Sequence, residues 1–154
     1  MAKLSKTSPG DQLLSFDRGL HDNYRSTVYC CQNFRIRPGA AHPEFTDFLL
    51  LNARRSFAFV TAYNPYSVRQ LSLVENQARH ARLTAELTSR HLPFLPASAR
   101  DTADRWPVED GVFVLDASLG EMLAIGRHYG QNAILWGEVG ELPGVLWCPS
   151  VIAF

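Results

Sequence analysis

From residue 57 onward, strand-like and helix-like segments alternate in an order that few architectures accommodate. Phe57-Ala58-Phe59-Val60-Thr61-Ala62 is aromatic and β-branched and breaks at Asn64-Pro65, as a buried strand does. A long helix-period segment follows, with Ser67 placed to cap it and Arg90 near its end. Leu92–Ala97 carries Pro93 and Pro96 and reads as an edge strand at best. Val112-Phe113-Val114-Leu115 is a clear strand, and Ser118-x-x-Glu121 opens a further helix that Gly130 ends. Ala133–Trp136 and Val145–Trp147 supply two more strands. The expected fold is therefore α+β, with a ferredoxin-like β-α-β-β-α-β core and an extra C-terminal strand.

Upstream of that core, Thr27–Cys31 and Phe34–Arg37 form a hairpin pattern stopped by Pro38-Gly39. Pro43 opens a helix of about ten residues with Phe45, Phe48, Leu49 and Asn52 on one face. Residues 1–22 are polar apart from Leu13, Leu14 and Phe16 and read as a flexible tail, leaving residues 23–154 as a single domain.

Composition narrows the function classes. Of 154 residues 46% are hydrophobic and 19% charged, with zero net charge, which excludes a disordered chain and a polycation that coats nucleic acid. Nucleic acid is accordingly a disfavoured partner. No apolar run approaches the roughly 20 residues of a membrane span. No secretory h-region follows Lys3 and Lys6, so a cytoplasmic location is expected. Lys3 and Lys6 are the only lysines; a Schiff-base enzyme and a phosphate loop with its lysine are excluded. Residues 1–100 hold thirteen basic and seven acidic side chains, and residues 101–154 two and eight. Strands from both halves interleaved in one sheet would mix these charges. Cys30, Cys31 and Cys148 lack metal or redox spacing and read as inert buried thiols. The histidines have no metal-ligand spacing either, and no cofactor is expected.

Polar residues gather at the ends of elements. Thr61, Asn64 and Ser67 lie where the first core strand meets a helix, whose free N–H groups suit an anion. On the long helix, Leu71, Val74, Ala78, Ala81 and Ala85 form a small-residue stripe suited to a sheet. Glu75, Arg79, Arg82 and Glu86 form a charged, solvated ridge, and Asn76 and His80 lie among Leu73, Leu83 and Leu87. Arg37 shares a strand face with Arg35, and Arg127, Gln131 and Asn132 crowd a helix-to-strand turn. Asp101 and Asp104 read as solvated loop acids, and Glu109-Asp110 as a turn.

Phe34-x-Ile36-Arg37-Pro38-Gly39, Thr61-Ala62-x-Asn64-Pro65-x-Ser67, Glu75-Asn76-x-x-Arg79 and Arg127-x-x-Gly130-Gln131-Asn132-Ala133-Ile134 resemble the bacterial family catalogued as domain of unknown function 3293. The resemblance spans roughly residues 24–147. It implies a small, stand-alone, cytoplasmic bacterial protein in which the Asn64/Ser67, Glu75/Asn76 and Gln131/Asn132 groups belong together. No catalytic residue comes with it.

Three function classes follow as expectations. The leading one is a binding or regulatory module holding a small anionic ligand or nucleotide, with Arg37, Thr61, Asn64, Ser67, Asn76, Arg127, Gln131 and Asn132 as its site. The second is a metal-independent enzyme with Glu75 as general acid or base. The third is a protein-interaction module of inhibitor or immunity type, including a homodimer through open sheet edges.

Overall fold

The computed structural model describes residues 26–67 and 70–148. Expectations for the tail at 1–22 and for the Ser67 side chain lie outside the described residues. The elements run β1 (Thr27–Cys31), β2 (Phe34–Ile36), α1 (Pro43–Leu51), β3 (Ser56–Thr61), a 3-10 turn (Pro65–Ser67), α2 (Leu73–Ser89), β4 (Phe94–Asp101), β5 (Glu109–Leu115), α3 (Leu119–His128), β6 (Ala133–Glu138) and β7 (Gly144–Trp147). The seven strands form one antiparallel sheet in the order β2-β1-β4-β5-β3-β6-β7. First-half and second-half strands alternate through β4-β5-β3-β6, so the oppositely charged halves share one sheet.

Central strand β3 is buried on both faces, which is why it reads as a continuous apolar run. Ala58 and Val60 point to one side, where they meet Val112 and Val114 of β5, Leu83 and Leu87 of α2, and Met122 and Ile125 of α3. Phe57 and Phe59 point to the other, where they meet Phe113 and Leu115 of β5 and Phe45 and Leu49 of α1. That second layer is aromatic. Phe45 stands edge-on to Phe57 at 4.9 Å, and Phe57 stacks on Phe113 at 5.2 Å, arrangements the ring quadrupoles favour.

The sheet curls around α1. In a flat sheet, six interstrand steps of about 4.8 Å would hold β2 and β7 about 29 Å apart. Instead, Gly39 after β2 donates its N–H to the Pro143 carbonyl before β7 at 2.7 Å. Gly39 has φ +76°, a left-handed conformation open to glycine at no steric cost.

Four expectations need correction. The long helix starts at Leu73, capped by Ser72, and not at Ser67, because Ser72 and Glu75 complete a capping box. Its buried residues are Asn76, Leu83 and Leu87; Val74 is 75% exposed, and Ala78 and Ala81 face solvent. The small-residue stripe is thus the outer face, since leucines remove more apolar surface from water than alanines. β4 is an eight-residue interior strand, not an edge fragment. Pro96 is tolerated because β1 pairs β4 only over Ser98–Asp101, so nothing on that side needs the missing N–H. Asp101 is fully buried, unlike exposed Asp104.

All three cysteines are free, and burial pushes the Cys31 and Cys148 thiols up to about 11. Such thiols stay protonated and unreactive at neutral pH. No helix among the described residues is long and apolar enough to cross a membrane.

Candidate functional site

Where β3 ends, residues 62–67 leave the sheet, and residues 70–72 lead into α2. Asn64 sits early in the first stretch in a left-handed conformation, φ +44°. Asparagine tolerates this region because its amide bonds locally. Its Oδ1 accepts from the Leu71 N–H at 2.7 Å and from Asn76 Nδ2 at 3.0 Å, closing the two stretches into a loop. Asn76 Oδ1 in turn accepts from the Asn64 N–H at 2.9 Å. The two amides therefore bond reciprocally. Asn76 is buried, and that pairing satisfies both ends of its side chain.

Other elements pin the same loop. From α2, Arg79 Nε donates to the Ala62 carbonyl and its Nη2 to the Tyr129 carbonyl. From the turn after α3, buried Gln131 donates through Nε2 to the Tyr63 carbonyl at 3.0 Å and the Tyr129 carbonyl at 3.3 Å. Tyr66 N–H donates to the Gly130 carbonyl. Gly130 has φ +70°, and a Cβ there would lie 2.7 Å from Pro65 Cβ, so the turn and the loop approach too closely for any side chain. From β5, the Asp110 carbonyl accepts from Thr61 Oγ1 at 2.6 Å.

The ionisable groups at this end of the sheet are mainly acidic. Glu109 accepts from Asn64 Nδ2 at 3.1 Å, and Asp110 accepts from the Tyr63 hydroxyl at 3.3 Å. Burial raises the Glu109 carboxyl above its ordinary range, and the Asn64 amide partly offsets this. Burial, then Asp110 and Glu109, raise the Tyr63 phenol. His80 stands edge-on to Tyr63 at 6.4 Å, with a buried Nδ1 that has no hydrogen-bond partner.

Thr61, Asn64, Asn76 and Gln131 thus come together from three parts of the chain. Arg37, Arg127 and Asn132 do not join them: among the described residues no hydrogen bond links their side chains to this network. Arg37 follows β2, where its N–H donates to His42. Arg127 acts on the Cys148 thiol, and the Asn132 carbonyl accepts from Cys148 N–H. Glu75 is exposed and spends its carboxylate on Ser72, accepting from the hydroxyl at 3.0 Å. A general acid or base needs a sheltered position beside substrate, which this cap does not provide.

Arg79 and Glu109 were legible only in part. Arg79 has the spacing of a solvated ridge, yet it lies three residues after Asn76 on the inward side of α2. Glu109 precedes Gly111 as a turn acid would, and only the β3–β5 pairing brings it to Asn64. Among the described residues no three His, Cys, Asp or Glu side chains gather to hold a metal ion.

Residues 60–134 match the model of a family described as a protein of unknown function (DUF3293). No curated protein and no solved structure matches the chain. The matched span runs from the end of β3 to the start of β6 and contains Thr61, Asn64, Asn76, Arg79, Glu109 and Gln131, the residues that build the loop network. Over residues 60–134 the chain is thus similar to the family of proteins of unknown function DUF3293.

Proposed function

We propose that this protein is a small-ligand-binding or regulatory module whose recognition surface is the anchored loop around Tyr66. One observation carries the reading. Tyr66 has φ +60°, a conformation that bulky residues avoid, and yet its side chain is 59% exposed. Such strain persists only where surrounding structure over-determines it, and it concentrates at functional sites. Here the surroundings are Asn64, Asn76, Arg79, Gln131 and Gly130. The result is an aromatic ring held outward on a rigid support, a platform for stacking.

The charge around it refines the ligand class. Arg79 gives donors to carbonyls, whereas Glu109 and Asp110 are the charged groups at the rim. A planar heterocycle, such as the base of a nucleoside or nucleotide, fits this setting better than an isolated anion. The strand order β6-β3-β5-β4 with α2 and α3 against one face supports the ferredoxin-like reading of residues 56–138. The family resemblance and the free thiols support a cytoplasmic bacterial protein.

Leu73 and Val74, exposed at 63% and 75%, favour a second reading in which the same end of the molecule docks a protein. Titration of the full chain with a nucleoside and nucleotide panel, followed by amide NMR and calorimetry, separates the two. Binding that shifts the Asn64, Tyr66 and Gly130 amides is expected. Tyr66→Ala should weaken it by about 1–3 kcal/mol, the worth of one base stack, while leaving the melting temperature nearly unchanged. A panel that shifts none of these amides overturns the ligand reading.

A further inference from the structure

Upstream of the loop network in sequence, the segment between β2 and α1 turns around His42. Its Nε2 lies 3.0 Å from the Arg37 backbone nitrogen and accepts that N–H. An imidazole nitrogen accepts only while it is unprotonated, so the ring is neutral with its proton on Nδ1. That Nδ1 is buried and has no partner. A second proton would turn Nε2 into a donor facing a donor.

His42 holds more than its own loop. Its carbonyl accepts from Thr46 N–H at 2.9 Å, the first hydrogen bond of α1, which carries Phe45 into the aromatic layer. Between Arg37 and His42 lies Gly39, whose bond to Pro143 joins the two ends of the curled sheet. One neutral ring thus stands where β2, the start of α1 and the turn before β7 meet.

We propose that His42 is a pH-operated latch: while it is neutral the 37–42 loop stays folded against the β7 turn, and protonation releases the Arg37 bond and loosens the Gly39–Pro143 seam. The charged groups on the segments it joins are Arg35 in β2 and Arg37 after it, Glu44 in the first turn of α1, and Glu138 and Glu141 around the turn before β7. All three acids are exposed, and Arg37 is the charge that acts on the ring. Burial first, and Arg37 second, lower the His42 pKa from 6.5. A folded pKa below the unfolded one means that the latch contributes fully above pH 6.5 and is lost as pH falls through the folded value.

The test is amide hydrogen exchange on the full chain, corrected for intrinsic rates, from about pH 7.5 to about pH 5, the range in which histidine titrates. A parallel NMR titration follows the His42 ring. Protection of Arg37 and Gly39 is expected to fall about tenfold, the factor carried by one pKa unit of preference, as His42 protonates. Protection at Phe59 in β3 should stay constant. His42→Gln keeps an acceptor that does not titrate, and the pH dependence at Gly39 should vanish. A wild-type His42 pKa of 6.5 or higher, protection that ignores its titration, or the same pH dependence in His42→Gln overturns the latch.

Discussion

Asp101 shows how far a single residue's environment departs from its neighbourhood in sequence. It closes β4 and leads into Thr102-Ala103-Asp104-Arg105, a stretch with every mark of a solvated loop, yet it is entirely buried. Arg105 explains the burial. Its Nε and backbone N–H both reach Asp101 Oδ2, at 2.9 and 2.6 Å, and its Nη2 reaches Oδ1 at 3.0 Å. Led by the Arg105 side-chain hydrogen bond, these contacts hold the carboxyl down to about 2. The pKa is depressed relative to the unfolded chain, so the stabilisation is complete above the unfolded value, about 3.9. It is lost as pH falls from there toward 2. Urea unfolding followed from pH 6 to pH 2 should show that loss, and Asp101→Asn should be less stable at neutral pH with a flatter acid limb. An unchanged acid limb in the variant would assign the titration elsewhere. Residue types alone could not show this, because Asp and Arg four apart occur as readily on a solvated turn.

At the scale of elements, α2 carries two stripes with helical spacing, and spacing alone does not choose between them. Val74, Ala78, Ala81 and Ala85 form one; Asn76, His80, Leu83 and Leu87 form the other. The second wins because Leu83 and Leu87 fill the space over Ala58 and Val60, whose small side chains leave room for large partners. Leu87→Ala should therefore cost about 2–5 kcal/mol, whereas Val74→Ala on the outer stripe should stay within about 0.5 kcal/mol. Chemical denaturation of both variants checks the assignment of faces. The same competition explains β4. Pro96 within it and Pro93 just before it mark an edge, and they do lie where β1 has stopped pairing, but the strand continues past them into the interior of the sheet. A proline reports on one hydrogen bond, not on a strand's place in the order.

For the whole molecule, the decisive feature is a sheet with helices on one face and α1 held within its curl on the other. Phe113 lies at the centre of that second layer, fully buried and in ring contact with Phe45, Phe57 and Phe59. Phe113→Ala should cost about 3–5 kcal/mol, lowering the urea midpoint as read by both near- and far-ultraviolet circular dichroism. A loss confined to the near-ultraviolet signal would instead mean that the aromatic layer loosens alone. Local chemistry determined the strands, the helices and most of their ends, because apolar periodicity, caps and prolines act within a few residues. It also marked Asn64 and Gln131 at element ends, and Asn76 as a polar group among leucines on the long helix. Only the tertiary structure decided which helix face turned inward, that Arg37 stands apart from those amides, and that Glu109, Arg79 and Tyr66 stand with them. Those outcomes depend on contacts between residues tens of positions apart, where burial and close packing outweigh the preferences that neighbours express.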